Sequence, residues 1–84
     1  MDAQDDDRLA GEVQALLISV EPLLPQEATR RVEEFVDHAE YGVAVEFLGA
    51  VLGEAGAVLA GRNRADFRRL SATMGGLELP ASLL

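Results

Sequence analysis

Between Asp37 and Glu54 the chain reads DHAEYGVAVEFLGAVLGE, an acidic turn that leads into a stretch apolar on more than one side. Tyr41, Ala44, Val45, Leu48, Val51, Leu52 and Ala55 recur at three- and four-residue spacing, and Phe47 and Val58 widen the stripe. A helix that is apolar over so broad an arc needs neighbours on several sides. It is therefore expected at the centre of a helical bundle.

The flanking segments carry narrower stripes of the same period. Leu9, Val13, Leu16, Leu17, Val20 and Leu24 define a first amphipathic helix that ends near Pro22. Pro25 is placed to open a second helix running to about His38, because its fixed φ suits a first helical position. Ala28, Val32, Phe35, Val36 and Ala39 would form its buried face, and Arg30 is one turn from Glu34. The third helix is expected from about Glu40 to Ala60, with Gly61 as its stop. Gly49, Gly53 and Gly56 would then each cost up to about 1 kcal/mol inside it. Their common side suggests close approach by a neighbouring helix, centred on Gly53. Asn63 is the expected N-cap of a fourth helix, with Asp66 at its third position. That helix buries Phe67, Leu70, Ser71 and Met74 and ends at Gly75 and Gly76. No segment sustains the alternation of a strand, so the expected class is all-α, a compact bundle of four helices.

A chain of 84 residues has room for one domain, expected over residues 8–76, between a flexible acidic N-terminus (1–7) and a C-terminal tail (77–84). Cysteine is absent, which excludes disulfides and thiolate metal sites. The acidic start is unlike a secretory signal, and no apolar run reaches the ~18 residues of a membrane span. A cytoplasmic protein with no membrane contact is expected. Its net charge of -8 opposes direct binding to nucleic acid and favours a basic protein partner. The charge is uneven: residues 62–84 hold Arg62, Arg64, Arg68 and Arg69 against Asp66 and Glu78. These arginines suit a solvated helix face that pairs with the acidic helices.

Little here supports catalysis. His38 is the sole histidine, and Phe35 occupies the position a Glu-x-x-His metal pair would need for its carboxylate. Ser19, Ser71 and Ser82 lack a glycine elbow, and none follows an aspartate as in carrier proteins. No strand and lysine-bearing glycine loop is present to hold phosphate. Neither an enzyme nor a bound metal or cofactor is expected.

What remains is a binding surface. Glu33, Glu34, Asp37, Glu40 and Glu46 gather around the second corner with Tyr41 among them. Either they form a solvated face with Tyr41 tucked into the core, or they form an acidic platform with an aromatic anchor. Glu40, Tyr41, Gly42, Val43, Ala44, Val45 and Glu46 spell E-Y-G-x-A-x-E. That string resembles the central segment of MafI-like and related contact-dependent growth inhibition immunity proteins, small bacterial antitoxins, over roughly Arg31 to Gly75. In that family pattern a glycine often precedes the Glu, whereas this chain has Ala39, so a tighter or less sharply broken corner is expected. The resemblance implies an antitoxin that binds and neutralises a cognate bacterial polymorphic toxin, such as a nuclease. A homo-oligomeric helical module of structural or regulatory kind is the alternative. In it, the surplus apolar surface of the third helix and the apolar tail LELPASLL, residues 77–84, pack against a second copy.

Overall fold

The structure is a computed structural model that describes residues 3–59, 61–77 and 80, with side chains from Asp7 onward. The described residues form four helices: α1 (Ala3–Val20), α2 (Gln26–Asp37), α3 (Tyr41–Glu54) and α4 (Gly61–Thr73). A single 3-10 turn, Glu21–Leu23, joins the first two, and the described residues contain no strand. The all-α bundle expected from the apolar periodicity is the fold observed. Its radius of gyration of 11.8 Å is that of a compact globule of this length.

Packing follows the stripes. Val13, Leu16, Leu17 and Val20 of α1 are buried against Val32 and Val36 of α2 and Val45, Leu48 and Leu52 of α3. Phe67 of α4, the largest fully buried side chain, and Leu70 complete the core. Both α1 and α3 touch each of the other three helices, so the central role expected of α3 is shared with α1.

Helix limits differ from expectation in ways that backbone chemistry explains. Helix α1 starts at Ala3 rather than after Asp7; aspartates at 5, 6 and 7 stand in its opening turns, where the macrodipole favours negative charge. Pro25 is the N-cap of α2, one residue before the expected position, with φ -61° and ψ 147°. Helix α3 stops at Glu54, well short of Ala60. Gly56 takes φ +66° and its N–H donates to Gly53 O, while the Ala57 N–H donates to Leu52 O. This pair of bonds is a Schellman stop. Gly56 is thus a turn residue, Ala55 is exposed, and Val58 is 86% exposed instead of extending the apolar stripe. Gly61 opens α4, so Asn63 lies within that helix and is not its N-cap. Asp66 pairs with Arg62 at 4.0 Å and Arg69 at 3.5 Å. Helix α4 ends in a second Schellman stop, with the Gly75 and Gly76 N–H groups donating to Ala72 O and Ser71 O.

The close approach at Gly53 is real, but the neighbour is not a helix. A Cβ built there would lie 2.7 Å from Pro80 Cγ. The start of the tail is likewise seated: Leu77 packs against the core, its carbonyl accepts from Ser71 Oγ at 3.1 Å, and its Cδ2 faces Gly42. Leu77 and Pro80 therefore sit on the glycine-bearing edge of α3. The rest of the segment 78–84, like Met1, Asp2 and Ala60, lies outside the described residues.

Candidate protein-binding surface

The corner between α2 and α3 orients the acidic residues. His38 is the C-cap of α2, and Ala39 adopts φ +58°, the left-handed conformation that glycine usually fills. The Ala39 N–H donates to Val36 O at 3.0 Å and the Glu40 N–H to Phe35 O at 2.8 Å. This is a third Schellman stop, and it breaks the chain as sharply as glycine would. Of the two corners expected from alanine at this position, tighter or less sharply broken, the less sharply broken one is not found. Ala39 is also exposed, so it drops out of the expected buried face of α2.

Glu33, Glu34, Asp37, Glu40 and Glu46 are all exposed, but they do not form one platform. Glu33 and Glu34 point about 100° apart around α2, as successive helical residues must. Glu33 lines a depression with Glu21, Gln26, Thr29 and Arg30. Glu34 lines another with Arg31, Phe35, His38 and Glu40. Glu46 borders a third with Phe35, Val43, Phe47 and Ala50. The structure thus gathers Glu34, Glu40 and Glu46 around Phe35 and sends Glu33 to the opposite flank. Asp37, one turn beyond Glu33, is exposed at the last position of α2. Glu34 is 3.9 Å from Arg31, both side chains more than half exposed, in place of the anticipated Arg30 pair. A pair so solvated contributes little to stability.

Tyr41 is half-buried and packs against the core cluster. The aromatic groups on the acidic side are instead Phe35 and Phe47. Their ring centroids are 5.7 Å apart with planes at 68°, the edge-to-face arrangement that ring quadrupoles favour. Both rings are half-buried, and beside them Val43 is 45% exposed and Ala50 is exposed. The apolar stripes of the sequence put Phe35 on the buried face of α2 and Phe47 at the edge of the α3 stripe, not together at the surface. The overlooked signal was the spacing of Val43, Phe47 and Ala50 by four and three, an apolar row on the outer arc of a helix whose inner arc was already complete.

Elsewhere Arg69 of α4 reaches Glu12 of α1 at 3.1 Å, as expected for arginines that pair with the acidic helices. Among the described residues no group of three or more histidine and acidic side chains is placed to hold a metal ion. No described helix is long and apolar enough to cross a membrane. No family model, curated protein or solved structure matches the chain.

Proposed function

We propose that this chain is a non-catalytic immunity protein of the cytoplasm that binds and neutralises a basic toxin domain, such as a nuclease. The observation that carries the reading is the set of exposed carboxylates, Glu34, Glu40 and Glu46, around the half-buried Phe35–Phe47 pair. Carboxylates steer a cationic partner into encounter, and aromatic surface supplies short-range affinity. Enzymes that act on nucleic acid expose basic clefts that an acidic protein can fill. The E-Y-G-x-A-x-E string at residues 40–46 supports the same reading through its resemblance to MafI-like immunity proteins.

The placement of the acids also argues for use in binding. Glu34 and Asp37 stand in the last turn of α2, which holds no basic residue, and there the macrodipole disfavours negative charge. Folding does not ask for acids at these positions. A basic partner would relieve the strain.

The test is protection. The C-terminal domain of a large secreted protein encoded next to the gene, if it is basic and toxic when expressed alone, is co-expressed with the wild-type chain, and survivors are counted; survival supports the reading, and death at full protein level removes it. The homo-oligomeric module draws on the exposed Val43 and Val58. Absence of protection together with a concentration-dependent dimer in sedimentation would favour that module.

A further inference from the structure

Three depressions along the outer α2–α3 face share lining residues: a first lined by Pro25, Glu27, Ala28, Arg31 and Phe47, a second that Glu46 borders with Phe35, Val43, Phe47 and Ala50, and a third lined by Arg31, Glu34, Phe35, His38 and Glu40. Arg31 belongs to the first and the third, Phe47 to the first and the second, and Phe35 to the second and the third. They are therefore one groove. It starts at Pro25 and Ala28, crosses the two rings and ends beside His38 and Glu40. Helix α2, twelve residues from Gln26 to Asp37, is about 18 Å long at 1.5 Å per residue, which matches a partner helix of a little over three turns. The groove floor is apolar: Ala28, Phe35, Val43, Phe47 and Ala50. Its rim holds Glu27, Glu34, Glu40 and Glu46 against Arg31 and the His38 imidazole, and Arg31 is already close to Glu34.

From this geometry we infer that the groove receives a basic amphipathic helix of the partner, laid along α2 and α3 with its apolar side chains on the Phe35–Phe47 pair. The inference rests on the proposed function and names the element of the partner that is recognised. Charge complementarity selects this occupant. Apolar residues one turn apart meet the aromatic floor, and flanking lysines or arginines meet the carboxylate rim, the helix-in-groove mode of recognition. A second copy of the chain is disfavoured, because a two-fold contact through this face would set the same carboxylate rim against itself. The segment at Leu77 and Pro80 is not the occupant either, since it is seated on the glycine-bearing edge of α3 at Gly42 and Gly53.

The probe is a fluorescein-labelled synthetic peptide of leucine and lysine, about fourteen residues long, with leucines at helical spacing. A second peptide of identical composition has that spacing scrambled. Anisotropy titration of the full chain is expected to show saturable binding of the first, with the scrambled peptide at least about tenfold weaker. Val43→Arg and Ala50→Arg, both at exposed positions that the fold does not need, should weaken binding about tenfold or more, and Glu33→Arg on the opposite flank should change it less than about twofold. Equal affinity for the two peptides, no binding of either, or indifference to both groove variants overturns the inference. A dimer that Ala50→Arg dissolves would assign the groove to a second copy and overturn it as well. The protection assay separates the two levels. Full protection by Val43→Arg would reject the groove and leave the proposed function standing, whereas failure of the wild-type chain to protect would reject that function itself.

Discussion

Pro80 lies so close to Gly53 that a Cβ on the glycine would fall 2.7 Å from Pro80 Cγ and 3.0 Å from Pro80 Cβ. Both contacts are shorter than carbon atoms tolerate without movement. Alanine at 53 should gain up to about 1 kcal/mol in helix propensity and lose a comparable amount in displacing the proline ring. Gly53→Ala is therefore expected to lie within about 0.5 kcal/mol of wild type, and Gly53→Leu to cost on the order of 1 to 3 kcal/mol. In a Pro80→Gly background, where both ring carbons are gone, Gly53→Ala should become stabilising. Urea melts of the four chains give the coupling directly. Equal effects of Gly53→Ala in both backgrounds would show that Pro80 is not what keeps this position small.

Ala39 carries the only positive φ among the described non-glycine residues, at +58°. The corresponding positions after α3 and α4 are Gly56 and Gly75. A left-handed residue with a Cβ costs roughly 1 to 2 kcal/mol, and the greater unfolded freedom of glycine returns roughly 0.5 to 1. Ala39→Gly is thus expected to stabilise the fold by about 0.5 to 1 kcal/mol, which raises Tm by a few degrees in a domain of this size. A lower Tm in thermal denaturation would contradict the assignment of the corner.

Asp37 tests whether the α2 terminus is set by stability or by binding. Arginine there interacts favourably with the carbonyl end of the helix, so Asp37→Arg should raise stability by about 0.3 to 1 kcal/mol. If the proposed function holds, the same change slows association with a basic partner, and the loss shrinks as salt is raised. Stopped-flow mixing at two ionic strengths is the measurement. An unchanged association rate would leave Asp37 outside the steering field.

Arg69 and Glu12 join α4 to α1. The Arg69 guanidinium donates to Glu12 Oε1 at 3.1 Å, while Glu12 Oε2 is buried without a hydrogen-bond partner. Removing the arginine leaves a poorly solvated carboxylate with only the longer 3.9 Å pair to the exposed Arg8, so Arg69→Leu should cost about 1 to 2 kcal/mol. Arg62→Leu removes a 4.0 Å pair whose arginine side chain is 93% exposed and should stay within about 0.5 kcal/mol of wild type. The double variant Glu12→Leu with Arg69→Leu should recover part of the loss, because it removes both charges together. Chemical denaturation of the set gives each value, and equal costs for Arg69→Leu and Arg62→Leu would remove the special standing of the inter-helix pair.

The helices were legible because burial in a bundle imposes a 3.6-residue period, and Leu9 through Val20 or Val45 through Leu52 display it without interruption. Helix ends were less legible. Gly53, Gly56 and Gly61 all qualify as stops by composition, and only the hydrogen bonds from Gly56 and Ala57 show where α3 ends. Around the site, the acidic residues were visible but their directions were not. Glu33 and Glu34 are neighbours in sequence and part company on a helix, whereas Glu34 and Glu46 border depressions that share Phe35 only because α2 and α3 pack side by side. Phe35 was hidden for a similar reason: its place at the margin of the α2 stripe leaves burial to be decided by how far α3 covers it.

Tyr41 lies at the first position of α3, half-buried against the core, directly after the acidic corner. An anchor for a partner and a wedge that holds the α2–α3 corner place different demands on this ring. If its main work is in the core, Tyr41→Ala removes apolar contact and leaves a gap beneath the corner. The expected cost is about 1 to 3 kcal/mol, below the range for fully buried aromatics. Tyr41→Phe keeps the ring and should stay within about 0.5 kcal/mol of wild type. Val43→Arg, two residues on and exposed, should leave stability nearly unchanged while it disrupts peptide binding in the groove. Urea denaturation and anisotropy titration on the same three proteins separate the roles. Stability unchanged in Tyr41→Ala, with binding lost as fully as in Val43→Arg, would return Tyr41 to the binding surface and shift the centre of the site from the phenylalanine pair to the corner.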